Sequence, residues 1–160
     1  MRGMIVHLPF TRLADRAGTE IGVSDWLPIT QERIDQFAAA TGDRQWIHVD
    51  ASRAAAQSLY GATIAHGFLT LSLVSALLQE TIAVDDAGMI INYGCDRVRF
   101  VSAVPAGARI RARFTLSAVQ HARDGIQVTW GVVIEREGQD KPCVVLDWKV
   151  RYYPSQAVNP

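Results

Sequence analysis

The sequence predicts an α+β protein in which an antiparallel sheet of about five strands curls around one apolar helix. Three observations lead to this fold class. The longest apolar run, residues 64–78, is shorter than the ~20 residues of a membrane span and is typical of a buried helix. After Gly88 apolar and polar residues alternate with a period of two, as in half-buried strands. Asp124-Gly125 then predicts a tight hairpin between two such strands.

The first half of the chain predicts a strand followed by a helix. Residues 20–29 (EIGVSDWLPI) can form the first strand. Thr30 is a suitable N-cap for a helix over residues 31–40, because its hydroxyl can accept a hydrogen bond from a first-turn amide. Gly42 is placed to end this helix.

A long apolar helix is predicted over residues 66–80. It is preceded by an Ala-rich segment that Asp50 can cap and that Gly61 breaks. A helix that is apolar nearly all round must be covered on most sides, and a curled sheet does this with the fewest elements.

The second half predicts four strands, beginning with residues 89–100. In the next strand Arg109, Arg111 and Arg113 alternate with apolar residues, and this stripe is either a phosphate-binding face or a charged surface that prevents edge association. Asp124-Gly125 and a turn near Gly138 separate the remaining strands. Such a small curved sheet leaves an edge open, which favours pairing with a second copy of the chain.

Size and charge limit the kinds of function. At 160 residues the chain is expected to form one domain, residues 1–160. Lys plus Arg and Asp plus Glu both number 16, so the formal net charge is zero. Neither nucleic acid nor an anionic membrane is therefore expected as a partner.

The cysteines and the first residues indicate a cytoplasmic protein. Cys95 and Cys143 lie far apart without a CxxC motif, so we expect reduced thiols and no metal site. The first ten residues, MRGMIVHLPF, lack the sustained apolar run of a secretory signal.

The stretch TGDRQWIHVD places a carboxylate and an imidazole five residues apart. If the loop folds back, Asp43 and His48 can face one cavity, hold a water molecule and move its proton. Alternatively, Asp43 is only a turn residue and His48 a structural histidine. Gln45 could orient a substrate carbonyl or a water through its amide, or it could be a surface loop residue.

The stretch IAHGFLT lies at the start of the apolar helix. First-turn amides have no partner within a helix, so the N–H of Gly67 could stabilise a developing oxyanion. The alternative is that Gly67 allows close packing and that His66 is a buried core histidine. No P-loop, GxGxxG, HExxH or GxSxG motif is present, which argues against the usual nucleotide-driven, zinc-hydrolytic and serine-nucleophile chemistries.

Taken together, ATGDRQWIHVD and IAHGFLT resemble the MaoC-like dehydratase family, also known as the (R)-specific enoyl-CoA hydratases, and within it the nodulation protein N-like branch. The resemblance extends over residues 30–150 and includes the stretch NYGCDRVRFVSAVPAG. It implies the hot-dog fold, in which a curled antiparallel sheet wraps a central helix and two copies pair.

The family motif, G-D-x-N-P-aliphatic-H, assigns the catalytic roles by resemblance. Its Asp and His fall on Asp43 and His48, and the amide that stabilises the oxyanion falls on Gly67. The family's Asn and Pro are replaced by Gln45 and Trp46. These departures concern substrate positioning and the pocket wall, where His66 is also a candidate.

The implied reaction is reversible addition of water to a trans-2-enoyl thioester, giving an (R)-3-hydroxyacyl thioester. The resemblance implies no metal or redox cofactor, because coenzyme A or an acyl carrier protein is part of the substrate. Two alternatives remain at this point: a hot-dog thioesterase, and a non-catalytic accessory subunit that binds acyl thioesters. The sequence leaves open whether Asp43 or His48 is the base and whether the chain forms a homodimer or a heterodimer.

Overall fold

The computed structural model describes residues 4–155. The strands are β1 (Val6–Pro9), β2 (Thr19–Val23), β3 (Leu27–Pro28), β4 (Ile82–Asp85), β5 (Ala87–Phe100), β6 (Arg109–Ala122), β7 (Gly125–Arg136) and β8 (Val144–Pro154). The helices are α1 (Gln31–Thr41), α2 (Trp46–Val49), α3 (Ala51–Gln57), α4 (Gly67–Ser72) and α5 (Val74–Gln79), with a 3-10 helix over Phe10–Arg16.

One curled antiparallel sheet forms most of the molecule. Its strand order is β2-β6-β7-β8-β5, and β3 also pairs with β6. The predicted first strand, residues 20–29, is therefore present as two short strands, β2 and β3, which both pair with β6. Between them, the Ser24 hydroxyl accepts a hydrogen bond from the Ala112 N–H at 2.9 Å. A hydroxyl thus replaces a main-chain carbonyl as the partner of the Ala112 N–H where the strand is interrupted, and the Ala112 carbonyl still accepts from the Ser24 N–H at 2.9 Å.

A small second sheet was not predicted from the sequence. It consists of β1 and β4, which run parallel with Val6 opposite Ile82. The segment VHLP is short and ends in proline, so it carries no strand pattern that could be read locally. Its pairing depends on a partner 76 positions further along the chain, as the register shows.

The predicted apolar helix is present as α4 and α5, which continue through Leu73. The Leu73 N–H donates to the Leu69 carbonyl at 3.2 Å, and the Leu77 N–H donates to the Leu73 carbonyl at 3.0 Å. The Ser72 hydroxyl also donates to the Leu69 carbonyl, at 2.8 Å. Such side-chain bonds compete with the helical pattern and often bend helices, which accounts for the break at Leu73. In the described part of the chain, no helix is long and apolar enough to cross a membrane.

The twofold pattern of β6 is confirmed. Its apolar positions are fully buried and face the helix; they are Ile110, Ala112, Phe114 and Leu116. On the outer face, Arg111 and Arg113 both bind Glu135 of β7, and Arg113 also binds Glu20 of β2. These ion pairs favour a charged outer surface over a phosphate-binding face. The predicted role in preventing edge association is wrong, because β6 lies between β2 and β7 and is not an edge strand.

The predicted hairpin joins β6 and β7, but its turn lies one residue earlier than expected. Ala122 pairs with Gly125, and the left-handed residue of the turn is Asp124 with φ of 62°. Gly125 is needed for a different reason. A Cβ atom at this position would overlap the Tyr152 carbonyl oxygen of the neighbouring strand.

Candidate active site

The first candidate residue, Asp43, follows the end of α1. Thr30 caps this helix as predicted, and Gly42 ends it with φ of 81° and an N–H bond of 2.9 Å to the Ala38 carbonyl. The Asp43 side chain is exposed, and its Oδ1 accepts a long hydrogen bond of 3.4 Å from the Gln45 N–H. Oδ1 of Asp43 thus accepts a hydrogen bond from its own loop, and the carboxylate can still accept hydrogen bonds from a ligand.

The second candidate, His48, lies in the single turn of α2 and is 7% exposed. Its Nδ1 is 2.7 Å from the Ile64 carbonyl oxygen. Because a carbonyl can only accept, this nitrogen carries the proton, and a neutral His48 presents a free lone pair at Nε2.

Gln31 holds the main chain at His48. Its side-chain amide donates to the His48 carbonyl at 2.8 Å and to Asp35 Oδ1 at 2.8 Å. The Thr63 hydroxyl in turn donates to Gln31 Oε1. Sequence reasoning missed this contact, because Gln31 and His48 are 17 positions apart and no motif spacing joins them.

Burial lowers the pKa of His48 below its ordinary value of 6.5. The hydrogen bond to Ile64 opposes this effect, the nearby His66 adds to it, and Asp43 opposes it weakly. A lowered pKa keeps the imidazole neutral at neutral pH, which is the form that can accept a proton from water.

The structure brings Asp43, His48 and His66 together, with one polar side-chain atom of each within 4.8 Å of the others. His66 is 3% exposed, and its ring stacks on that of His48 with centroids 3.7 Å apart and planes inclined by 24°. His48 Nδ1 and His66 Nε2 each face a carbonyl oxygen, so each ring keeps one nitrogen for a ligand or a proton. Such a cluster can hold a water molecule and move its proton.

A cavity of about 260 Å³ opens beside His48. It is lined by His48, Tyr60, Ile64, Ala65, Gly67, Thr70, Phe100, Val101, Ser102, Ala103, Val104, Cys143 and Val144. Gly67 is the first residue of α4, so its N–H belongs to the first turn, where amides lack helical partners. A Cβ atom at Gly67 would lie 2.8 Å from the Phe100 ring, so the ring packs directly on this glycine.

Of the six candidate residues, only His48 and Gly67 belong to this cavity lining; Asp43, His66, Gln45 and Trp46 do not. Gln45 is exposed and precedes the first turn of α2. Trp46 is half-buried, and the Arg53 guanidinium lies 4.4 Å from its ring centroid. Their suggested roles in positioning the substrate and forming the pocket wall remain predictions.

Several known proteins are similar to this chain. A family model described as "MaoC like domain" matches residues 12–137. The chain is 48% identical over 141 residues to 3-hydroxyacyl-thioester dehydratase Z of Mycobacterium tuberculosis, covering 88% of this chain and 93% of the relative. It is 44% identical over 144 residues to nodulation protein N of Rhizobium leguminosarum bv. viciae, covering 89% of each.

Among solved structures, the fold is similar to that of (R)-hydratase PhaJ1 from Pseudomonas aeruginosa in its unliganded form. The TM-score is 0.67, with 22% sequence identity over 87% of this chain and 83% of the other. This likeness confirms the predicted hot-dog architecture.

Proposed function

The chain belongs to the MaoC-like dehydratase family, and from this premise we propose that it is a hydro-lyase that adds water reversibly to trans-2-enoyl thioesters, giving (R)-3-hydroxyacyl thioesters. The observation that carries the proposal is the grouping of Asp43, His48 and His66, with one polar side-chain atom of each within 4.8 Å of the others, next to a cavity that His48 and Gly67 line. A base, a second acceptor for the same water and an oxyanion donor are the groups that this reaction needs.

In hydration, the water is held between Asp43 and His48. His48 Nε2 takes one proton as the water oxygen attacks C3 of the enoyl group, while the Asp43 carboxylate accepts a hydrogen bond from the other. The proton then returns from His48 to C2, so the C3–O and C2–H bonds form on the same face. Every proton removed is restored, and the dyad ends the cycle in its starting state.

Attack at C3 moves negative charge onto the thioester oxygen. The N–H of Gly67 is proposed as the donor that stabilises this charge, supported by its place in the first turn of α4 and in the cavity wall. Backbone donors of this kind need no reorganisation during the reaction, and losing one typically costs about 2.7–4 kcal/mol.

Balanced proton transfer of this type needs neither a redox group nor a Lewis acid. We therefore propose that the protein works without a metal or an organic cofactor, and that coenzyme A or an acyl carrier protein enters only as part of the thioester substrate. A cytoplasmic location is part of the same proposal, supported by the two free cysteines, exposed Cys95 and buried Cys143.

We also propose that two copies of the chain pair through β5. This strand lies at the end of the sheet order and pairs with β8 alone among the described strands. Large apolar side chains along it are 42–52% exposed, namely Met89, Ile90, Ile91, Tyr93 and Phe100. A long apolar edge of this kind is prone to pairing unless it is covered.

The test of function follows two signals during incubation with crotonyl-CoA. Hydration predicts loss of the enoyl thioester absorbance without release of free thiol, and an (R)-3-hydroxybutyryl product. Release of thiol would instead indicate a thioesterase. If the enoyl absorbance stays constant and no thiol is released, the proposed activity is contradicted and an accessory role is favoured.

A further inference from the structure

His66 contacts both members of the dyad. Its Nε2 is 2.9 Å from the Asp43 carbonyl oxygen, so this nitrogen carries a proton and donates it. Its ring covers the His48 ring at a centroid distance of 3.7 Å. The His66 ring also packs against Phe37 of α1, with ring centroids 5.0 Å apart. One buried side chain therefore joins α1, the Asp43 loop and α2.

The second ring nitrogen of His66 has an unfavourable environment. Nδ1 is buried and has no hydrogen-bond partner among residues 4–155. With Nε2 donating, Nδ1 is a bare acceptor, and such a buried acceptor costs about 1–3 kcal/mol when unpaired. An apolar side chain of similar size would fill the same space without this cost, so packing alone does not explain a histidine here.

The Asp43 side chain is exposed and lies on a loop, where its anchorage is weak. Within residues 4–155 its carboxylate has one hydrogen bond, the long 3.4 Å contact with the Gln45 N–H, and the hydrogen bond from His66 holds its main-chain carbonyl. The His48 ring can pivot about its bond to Ile64, and the face of His66 limits that rotation. These two contacts limit how far the Asp43 loop and the His48 ring can move relative to each other.

From these contacts we infer that His66 is a positioning residue for the reaction: it holds the Asp43 main chain through Nε2–H and sets the His48 ring by stacking. The inference rests on the proposed function. His66 does not touch the reacting atoms in this assignment, and its effect passes through Asp43 and His48.

Three variants separate the donor from the ring. His66→Phe keeps a ring for stacking and loses the donor. His66→Gln keeps an amide donor near the position of Nε2, and His66→Asn carries the same amide one methylene too short to reach the Asp43 carbonyl. Gln and Asn therefore form a matched pair if the Phe variant does not fold.

We expect His66→Phe and His66→Asn to lower kcat for crotonyl-CoA hydration by roughly tenfold or more, with KM changed less than about threefold, because positioning acts on the transition state. His66→Gln should retain at least about fivefold more kcat than His66→Asn. The melting temperature of His66→Phe should equal or exceed that of the wild type, since the unpaired acceptor is removed. A purely structural residue would give the opposite result, a lower melting temperature with kcat retained in the folded fraction.

A second readout needs no substrate. The groups facing His48 are His66 and Asp43; the His66 imidazole lowers the pKa of His48, and the change to phenylalanine removes this effect. The NMR titration of the His48 ring should therefore move to higher pH in His66→Phe.

The outcomes distinguish two failures. A wild-type chain that hydrates no enoyl thioester would overturn the proposed function and the positioning role with it. An active wild type would overturn the positioning role alone if folded His66→Phe or His66→Asn kept kcat within about twofold, if Gln were no better than Asn, or if the His48 titration did not move.

Discussion

At the level of single residues, His48 is held by two hydrogen bonds, one to its ring and one to its main chain. The ring donates to the Ile64 carbonyl, and the His48 carbonyl accepts from the Gln31 amide. This double attachment sets the direction of Nε2 before substrate binds. Preorganisation of this kind lowers the barrier because the base needs no search for its orientation.

Gln31→Leu should lower kcat for crotonyl-CoA hydration by roughly tenfold, because the His48 turn loses its anchor while the dyad itself is kept. It should also destabilise the fold by about 1–3 kcal/mol, since Thr63, which is 3% exposed, loses its acceptor. Gln36→Leu is the matched control on the exposed side of the same helix. Steady-state kinetics and thermal melts check both effects; equal kinetics for the two variants would show that Gln31 does not position His48.

The pH dependence follows from the direction of the His48 pKa shift. Burial lowers this pKa below its ordinary value of 6.5. The imidazole therefore stays neutral, and able to accept a proton, at pH values somewhat below 6.5. Activity is therefore lost only when pH drops through the lowered pKa. We expect the acid limb of kcat/KM to lie below pH 6.5. An acid limb above that value would mean that His48 is not the base or is not buried in solution.

Asp43, His48 and Gly67 are candidates from two short stretches of sequence, and the resemblance to the family suggests their roles, which remain predictions. The structure brings Asp43 and His48 together and places Gly67 with His48 in one cavity lining. The Gln31 clamp and the stacking of His66 on His48 arise only when α1, α2 and the start of α4 pack together. His66 could be suspected as a pocket residue, but neither of its contacts could be derived.

At the level of secondary-structure elements, the start of the central helix carries the oxyanion proposal. Proline is tolerated at the first helical position, where the N–H is not used by the helix. Residue 66 has φ of −59° and ψ of 138°, which suits a residue before proline. Gly67→Pro therefore removes one amide hydrogen while the helix is kept.

We expect Gly67→Pro to reduce kcat by about 10²–10³-fold, as for other lost oxyanion donors. Gly67→Ala is the control, because it adds a carbon near Phe100 and keeps the N–H. The alanine variant should lose less activity, and circular dichroism should show both variants folded. Equal losses in Pro and Ala would assign the effect to crowding by Phe100 and would remove Gly67 from the mechanism.

Most elements could be predicted because their signals are local. Thr30 and Asp50 cap α1 and α3 as expected, since each accepts from the amide three residues later. Alternation located the long strands, and Asp124 located their turn to within one residue. The split first strand, β1 and the bend at Leu73 could not be predicted, because each depends on contacts between distant segments or on a side-chain bond within the helix.

At the level of the whole molecule, the apolar edge of β5 determines the proposed assembly. Met89→Asp combined with Ile91→Asp places two carboxylates on this edge, where burial in an interface would be costly. We expect light scattering to show a dimer for the wild type and a monomer for the double variant. Leu59→Asp, at a side chain that is 98% exposed and belongs to the segment after α3 and not to β5, should leave the dimer intact. A wild-type monomer would contradict the pairing.

The measurement that tests the central claim most directly is the rate of crotonyl-CoA hydration by Asp43→Asn and His48→Ala beside the wild type. Each variant should fold normally and lose about a hundredfold or more in kcat/KM, because each removes one of the two groups that hold and deprotonate the water. Circular dichroism and melting temperature serve as the check on folding. A rate close to that of the wild type in either folded variant would contradict the dyad.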